Sequence, residues 1–146
     1  MHIAVGCDHR GLNLKRLVIS IITKKGHTYQ DFGSYDAATV DYPDIAQKVA
    51  ESVTGGQFVF GILVCSSGIG MCIAANKVMG IRAATCNDTF SARRARQHNN
   101  TNMLCLGEDM VGPGLATEIV QTFLDTDFEG GRHSRRLEKV RALETN

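Results

Sequence analysis

Cys65, Ser66, Ser67, Gly68, Ile69 and Gly70 interrupt an otherwise apolar stretch, FVFGILVCSSGIGMCIAAN, that runs from Phe58 to Asn76. A thiol, two hydroxyls and two glycines in that order suit proton transfer or nucleophilic attack. Phe58 to Val64 predicts a buried strand, and Met71 to Asn76 predicts the first turn of a helix. A tight loop between them presents free backbone N–H groups, which suit an anion. It also puts a thiol at the carboxyl end of a central strand, where open α/β sheets bind their ligands. A cysteine there serves as base or nucleophile once its pKa is lowered. The same residues also fit a packed cysteine beside a turn, so the rest of the chain has to decide.

Other reactive types stand at the ends of neighbouring segments. Asp8-His9 follows the first apolar run and fits a substrate contact, or a cap on the next helix. His98 closes a helix rich in Arg93, Arg94 and Arg96; it is either a proton carrier near neutral pH or a C-terminal cap. Arg132, Arg135 and Arg136 share one helix face and fit a phosphate grip or a solvated surface. Cys7, Cys72, Cys86 and Cys105 sit in or beside apolar runs and read as core.

The elements that must hold these groups alternate. Strands are expected over 2–6, 27–32, 58–64, 81–86 and 102–106. Helices are expected over 12–25, 44–53, from 71, over 89–97, from 112 to 123 and over 132–143. Tyr42-Pro43 is expected to be extended, and Asn87 or Asp88 to cap the fourth helix. This order predicts a parallel sheet with helices on both faces and right-handed crossovers. No linker or repeat divides the 146 residues, so one domain over 1–146 is expected. The net charge of +1 argues against a nucleic-acid partner held by charge alone. No apolar run is long enough to span a membrane. Five cysteines without a CxxC pair or metal-ligand spacing, and no signal-peptide pattern, predict a reducing cytoplasm.

Five strings occur together: GCDHRGLNLK, VDYPD, GILVCSSGIGMCIAANKVMGIRAA, SARRARQHNNTNMLCLG and EGGRHSRRLEKV. As a set they resemble the ribose-5-phosphate isomerase B family, which includes the galactose-6-phosphate isomerase subunits, over nearly the whole chain. The resemblance implies a Rossmann-like three-layer α/β/α sandwich with a five-stranded parallel sheet. It implies a homodimer or dimer of dimers with active sites between subunits, which helix 132–143 would reach or pack against. It implies interconversion of an aldose phosphate and a ketose phosphate without metal or organic cofactor. By the same resemblance Cys65 is the base that moves a proton from C2 to C1. Ser67 and the loop amides through Gly68 and Gly70 steady the enediolate, and His98 opens the sugar ring. Asp8 holds a hydroxyl or assists that opening. Asn76 and Asn99 contact the substrate, and His9, Arg132 and Arg136 its phosphate. Another branch of the family uses a Glu in the helix after the loop; that position here is Met71.

Two positions depart from the family pattern. Ser66 replaces a usual Gly, and Asp109 stands where an Arg often helps bind phosphate. They leave open another pentose, hexose or tetrose phosphate, or a free sugar. A non-catalytic sugar-phosphate-binding module is a second alternative. A phosphocysteine enzyme is disfavoured, because the Arg it needs six residues after the Cys is Met71.

Overall fold

The computed structural model describes residues 1–145. Its strands are β1 (His2–Cys7), β2 (Thr28–Asp31), β3 (Phe60–Cys65), β4 (Ala83–Thr85) and β5 (Met103–Gly107). Its helices are α1 (Leu12–Lys24), α2 (Tyr42–Thr54), α3 (Ile69–Ala75), α4 (Thr89–Asn99), α5 (Pro113–Asp125) and α6 (Arg132–Ala142), with a short 3₁₀ turn at Leu143–Thr145. All strands pair in parallel in the order β2-β1-β3-β5-β4.

The central strands are buried on both faces, so they read as continuous apolar runs and not as alternating ones. Ile3, Val5, Ile62, Val64, Leu104 and Leu106 point to one face and pack under α1, α4 and α5. Ala4, Leu63, Cys65, Met103 and Cys105 point to the other, under α2 and α3. The result is the expected three-layer sandwich.

This arrangement opens the crevice that the chemistry needs. The chain leaves β1 for α1 on one face and leaves β3 for α3 on the other. Their loops therefore part at the carboxyl edge, and a topological switch point lies between them. The loop after β5 returns to the α1 side and forms the second wall.

Several boundaries differ from expectation. Tyr42-Pro43 is the first turn of α2 and not extended loop; Asp41 is the extended residue (φ −80°, ψ 118°). A proline in the first turn lacks only an N–H that has no helical acceptor. Helix α3 starts at Ile69, two residues early, because Gly68 turns left-handed (φ 79°) and redirects the chain at once. A Cβ at Gly68 would also meet the Leu106 carbonyl carbon at 3.0 Å, so only glycine fits. His98 lies inside the last turn of α4, which Asn100 ends in the left-handed conformation (φ 44°). Asp88 does cap α4, accepting the Ser91 N–H at 2.6 Å.

Candidate active site

Cys65 ends β3, buried, and its Sγ accepts the Gly68 N–H at 3.1 Å. The left-handed turn at Gly68 is what aims that amide back at the sulfur. Ser67 Oγ accepts the Ile69 N–H at 3.3 Å. The next first-turn amides, Gly70 and Met71, have no intrahelical acceptor by helix geometry. Gly70 also makes room for a neighbour. A Cβ there would lie 2.8 Å from the Tyr42 ring, so its bareness lets Tyr42 close one side of the loop.

The opposite wall comes from β1. Asp8 is buried, and its Oδ1 accepts the Arg10 N–H at 2.8 Å. This shapes the 8–11 turn and leaves Gly11 as the α1 cap, so Asp8 is not a helix cap. Val40 donates its N–H to His9 Nδ1 at 3.4 Å. That assigns the proton to Nε2, which is then a donor toward an anion. Backbone bonds from Asp8 N to Val64 O (3.1 Å) and Glu108 N to Cys65 O (2.8 Å) tie both walls to β3.

The two unusual residues meet. Ser66 Oγ donates to Asp109 Oδ2 at 2.7 Å, and Arg10 Nη2 lies 3.3 Å from the same oxygen. Both contacts hold the Asp109 carboxyl below its ordinary range. Asp109 is thus paired, and it holds a guanidinium at the rim of the Cys65 loop. The Ser66–Ser67 backbone passes so close over β5 that a Cβ on Gly107 would come within 2.6 Å of it.

His98, Asn99, Arg132 and Arg136 are not in this group. Helix α4 runs antiparallel to the strands, so its last turn lies at the amino edge of the sheet, where Asn100 to Asn102 lead into β5. Strand β5, about 13 Å long, separates that edge from Cys65. There the His98 and His133 rings stack, with Glu129 beside both and Arg132 and Arg136 near His133. Asn76, just past α3, lies at the amino edge as well, lining a hollow with Asn99, and is engaged by the backbone: its amide accepts the Ala83 N–H at 2.8 Å and donates to Ala83 O at 3.0 Å. It finishes the β4 edge as a further strand would.

Glu129 and His133 escaped the sequence reading, although Arg132 beside them did not. The signal was present in i, i+4 spacing, from Glu129 to His133 and from Arg94 to His98. Among the described residues, His98, Glu129 and His133 form a group that could hold a metal ion, with ligand atoms within 4.8 Å of one another. Arg94 against His98, with Arg132 and Arg136 nearby, opposes a dication there.

One cysteine differs from its expected role. Cys7, Cys86 and Cys105 are buried as expected, and burial pushes Cys7 and Cys86 up to about 11. Cys72 is only half-buried, and hydrogen bonds from Cys105, then Thr85 and Asn76, bring it down to about 6. Iodoacetamide at pH 7 is therefore expected to label Cys72 and spare Cys7, Cys86 and Cys105, read by peptide mass spectrometry. An unlabelled Cys72 would contradict this assignment.

The Ribose/Galactose Isomerase family profile matches residues 3–140. The chain belongs to that family. It is 44% identical over 142 residues to ribose-5-phosphate isomerase B of Escherichia coli, covering 97% of this chain and 95% of the relative. It is 45% identical over 142 residues to D-erythrulose-4-phosphate isomerase of Pectobacterium atrosepticum, covering 96% and 93%. The structure of Clostridium thermocellum ribose-5-phosphate isomerase B superposes with a TM-score of 0.98 at 48% identity, covering 99% of this chain and 98% of that one. The protein is a sugar-phosphate isomerase, an enzyme that interconverts an aldose and a ketose. No helix among the described residues is long and apolar enough to cross a membrane.

Proposed function

We propose that this isomerase converts ribose 5-phosphate to ribulose 5-phosphate through an enediolate, with Cys65 as the base. The observation that carries the reading is the thiol at the switch point, with the Gly68 amide on its sulfur and Asp8 and His9 on the facing wall. Cys65 takes the C2 proton of the open-chain aldose and returns it to C1. As negative charge grows on the oxygens, Ser67 and the amides at the start of α3 supply fixed donors. One such donor is worth roughly 10²–10³ in rate in comparable sites.

His98 opens the ring, and Arg132 and Arg136 bind the phosphate with His9. The distance between the two groups of residues supports a site built from two copies. Each chain gives Asp8, His9, Cys65 and Ser67 to one site, and His98, Asn99, Arg132 and Arg136 to the other. Ile69 and Ile73, both exposed on one face of α3 beside the Cys65 loop, form an apolar stripe suited to a second copy.

Arg10 joins the phosphate grip from the Cys65 side. Asp109 occupies one nitrogen of its guanidinium and leaves other donors free. Arg10→Met should raise KM for ribose 5-phosphate about tenfold, the loss of one exposed charge-assisted contact, and leave free ribose within twofold. Equal effects on both sugars would remove Arg10 from the phosphate site.

The test of the whole reading is a panel of pentose 5-phosphates, hexose 6-phosphates, a tetrose 4-phosphate and free sugars. Ribose 5-phosphate is expected to give the highest kcat/KM. A tetrose phosphate in first place would keep the chemistry and reassign the substrate, as the name of the Pectobacterium relative suggests. Binding without turnover of any sugar would mark a non-catalytic module.

A further inference from the structure

The amino-edge cluster has an order of its own. The His98 ring lies against that of His133 with centroids 4.2 Å apart and planes 12° from parallel. One oxygen of Glu129 is 3.8 Å from His98 Nε2 and 3.6 Å from His133 Nε2. Arg94, one turn earlier on α4, brings Nη1 to 3.2 Å from the same His98 Nε2.

Each contact constrains His98 differently. Arginine has donors only, so the nitrogen facing Arg94 is the acceptor of a neutral ring, which assigns the proton to Nδ1. The stack with His133 fixes the plane of the ring. His133 is buried, and burial, with His98 and Arg132 nearby, holds it below the usual imidazole range, so it enters the stack as a neutral ring. Glu129 offers an acceptor to a second proton on Nε2, which would turn from Arg94 toward the carboxylate. Glu129 is itself placed by its backbone N–H, which donates to Gln97 O at 3.0 Å. The turn before α6 is thereby pinned to the end of α4.

We propose that Glu129 and His133 are positioning residues for His98: they hold Nε2 toward their own chain and leave the Nδ1–H facing the substrate of the other copy. This rests on the role given to His98 above. Ring opening uses the doubly protonated ring, its second proton on Nε2 turned to Glu129: the C1–O4 bond of the furanose breaks, O4 takes the Nδ1 proton, and His98 is left neutral with its proton on Nε2. The C1 hydroxyl gives its proton to the facing Asp8 carboxylate as the C1 carbonyl forms. His98 and Asp8 then return to their starting states by exchange with water. Neither Glu129 nor His133 touches the sugar.

The test uses the full-length protein and two readouts. The first is kcat and KM for ribose 5-phosphate. The second is Ki for a phosphorylated four-carbon hydroxamic acid, an acyclic stand-in for the enediolate that needs no ring opened. Glu129→Gln should lower kcat roughly ten- to hundredfold, part of what a general acid contributes, with Ki within threefold of wild type. Glu129→Asp should restore part of the loss. His133→Phe keeps a stacking ring and should stay near wild type, while His133→Ala should behave like Glu129→Gln. An unchanged kcat in Glu129→Gln, or a Ki rising in step with the loss of kcat, would overturn the proposal, the latter by revealing a collapsed site. A wild type that neither turns over an aldose phosphate nor binds the hydroxamate would instead overturn the parent reading, and this one with it.

Discussion

Cys65→Ala is expected to fold normally and to lose turnover of aldose phosphate by roughly 10³-fold or more, the upper part of the range for a general base. The reason is local. Among the reactive side chains of the described residues, only this thiol stands at the end of the central strand with an amide donated to it, at the switch-point crevice. Asp8, the buried carboxylate on the facing wall, is already committed to the turn that follows it. Truncation removes one sulfur at the mouth of the core and not beneath it, so the cost to folding is about 1 kcal/mol, visible as a small drop in Tm. Cys65→Ser keeps the size but not the thiol and should be nearly as inactive. Cys72→Ala is the control: this thiol, expected to alkylate at pH 7, faces β4 and not the crevice, so activity should stay within twofold. Activity of Cys65→Ala above a third of wild type would remove Cys65 as the base and move the search to Asp8.

The residues that carry this expectation were unusually legible. A strand buried on both faces has to be an apolar run, and β3 is one. A turn that must bend left-handed needs glycine, and Gly68 stands there. Alternating runs and amphipathic helices therefore fixed the layers, leaving errors of one or two residues at element ends. Phe58 shows why such errors arise. It is as apolar as its neighbours, yet it lies outside the ladder and packs its ring against His2 and Phe32.

What could not be read were pairings between distant segments. Ser66 and Asp109 stood out separately as departures from a pattern, and nothing in the sequence said that they touch. Asp109 alone looked like a charge hostile to phosphate. Bonded to Ser66 and Arg10, it is the anchor of a cation. Nor could the sequence show that His98 and Cys65 lie at opposite edges. The motifs containing them are equally prominent, and only the antiparallel course of α4 separates them.

That separation leads to the second large effect. Cys65→Ala and His98→Ala, each nearly inactive alone, should regain activity when unfolded together and refolded as a mixture. If each site takes Cys65 from one copy and His98 from the other, a twofold-symmetric mixed dimer carries both lesions in one site and none in the other. Random pairing makes half of the dimers mixed, so about a quarter of all sites are intact. Native mass spectrometry counts the mixed dimers, which share a mass distinct from either parent, and the recovered rate should scale with their number. A single chain that somehow brought His98 to its own Cys65 would give mixed dimers with one lesion in every site and no recovery. Mixed dimers without activity would therefore return both residues to one copy, against the course of α4. Activity without mixed dimers would mean that neither lesion was complete. Recovery in proportion to mixing would make the carboxyl edge of one sheet and the amino edge of its partner the two halves of one active site.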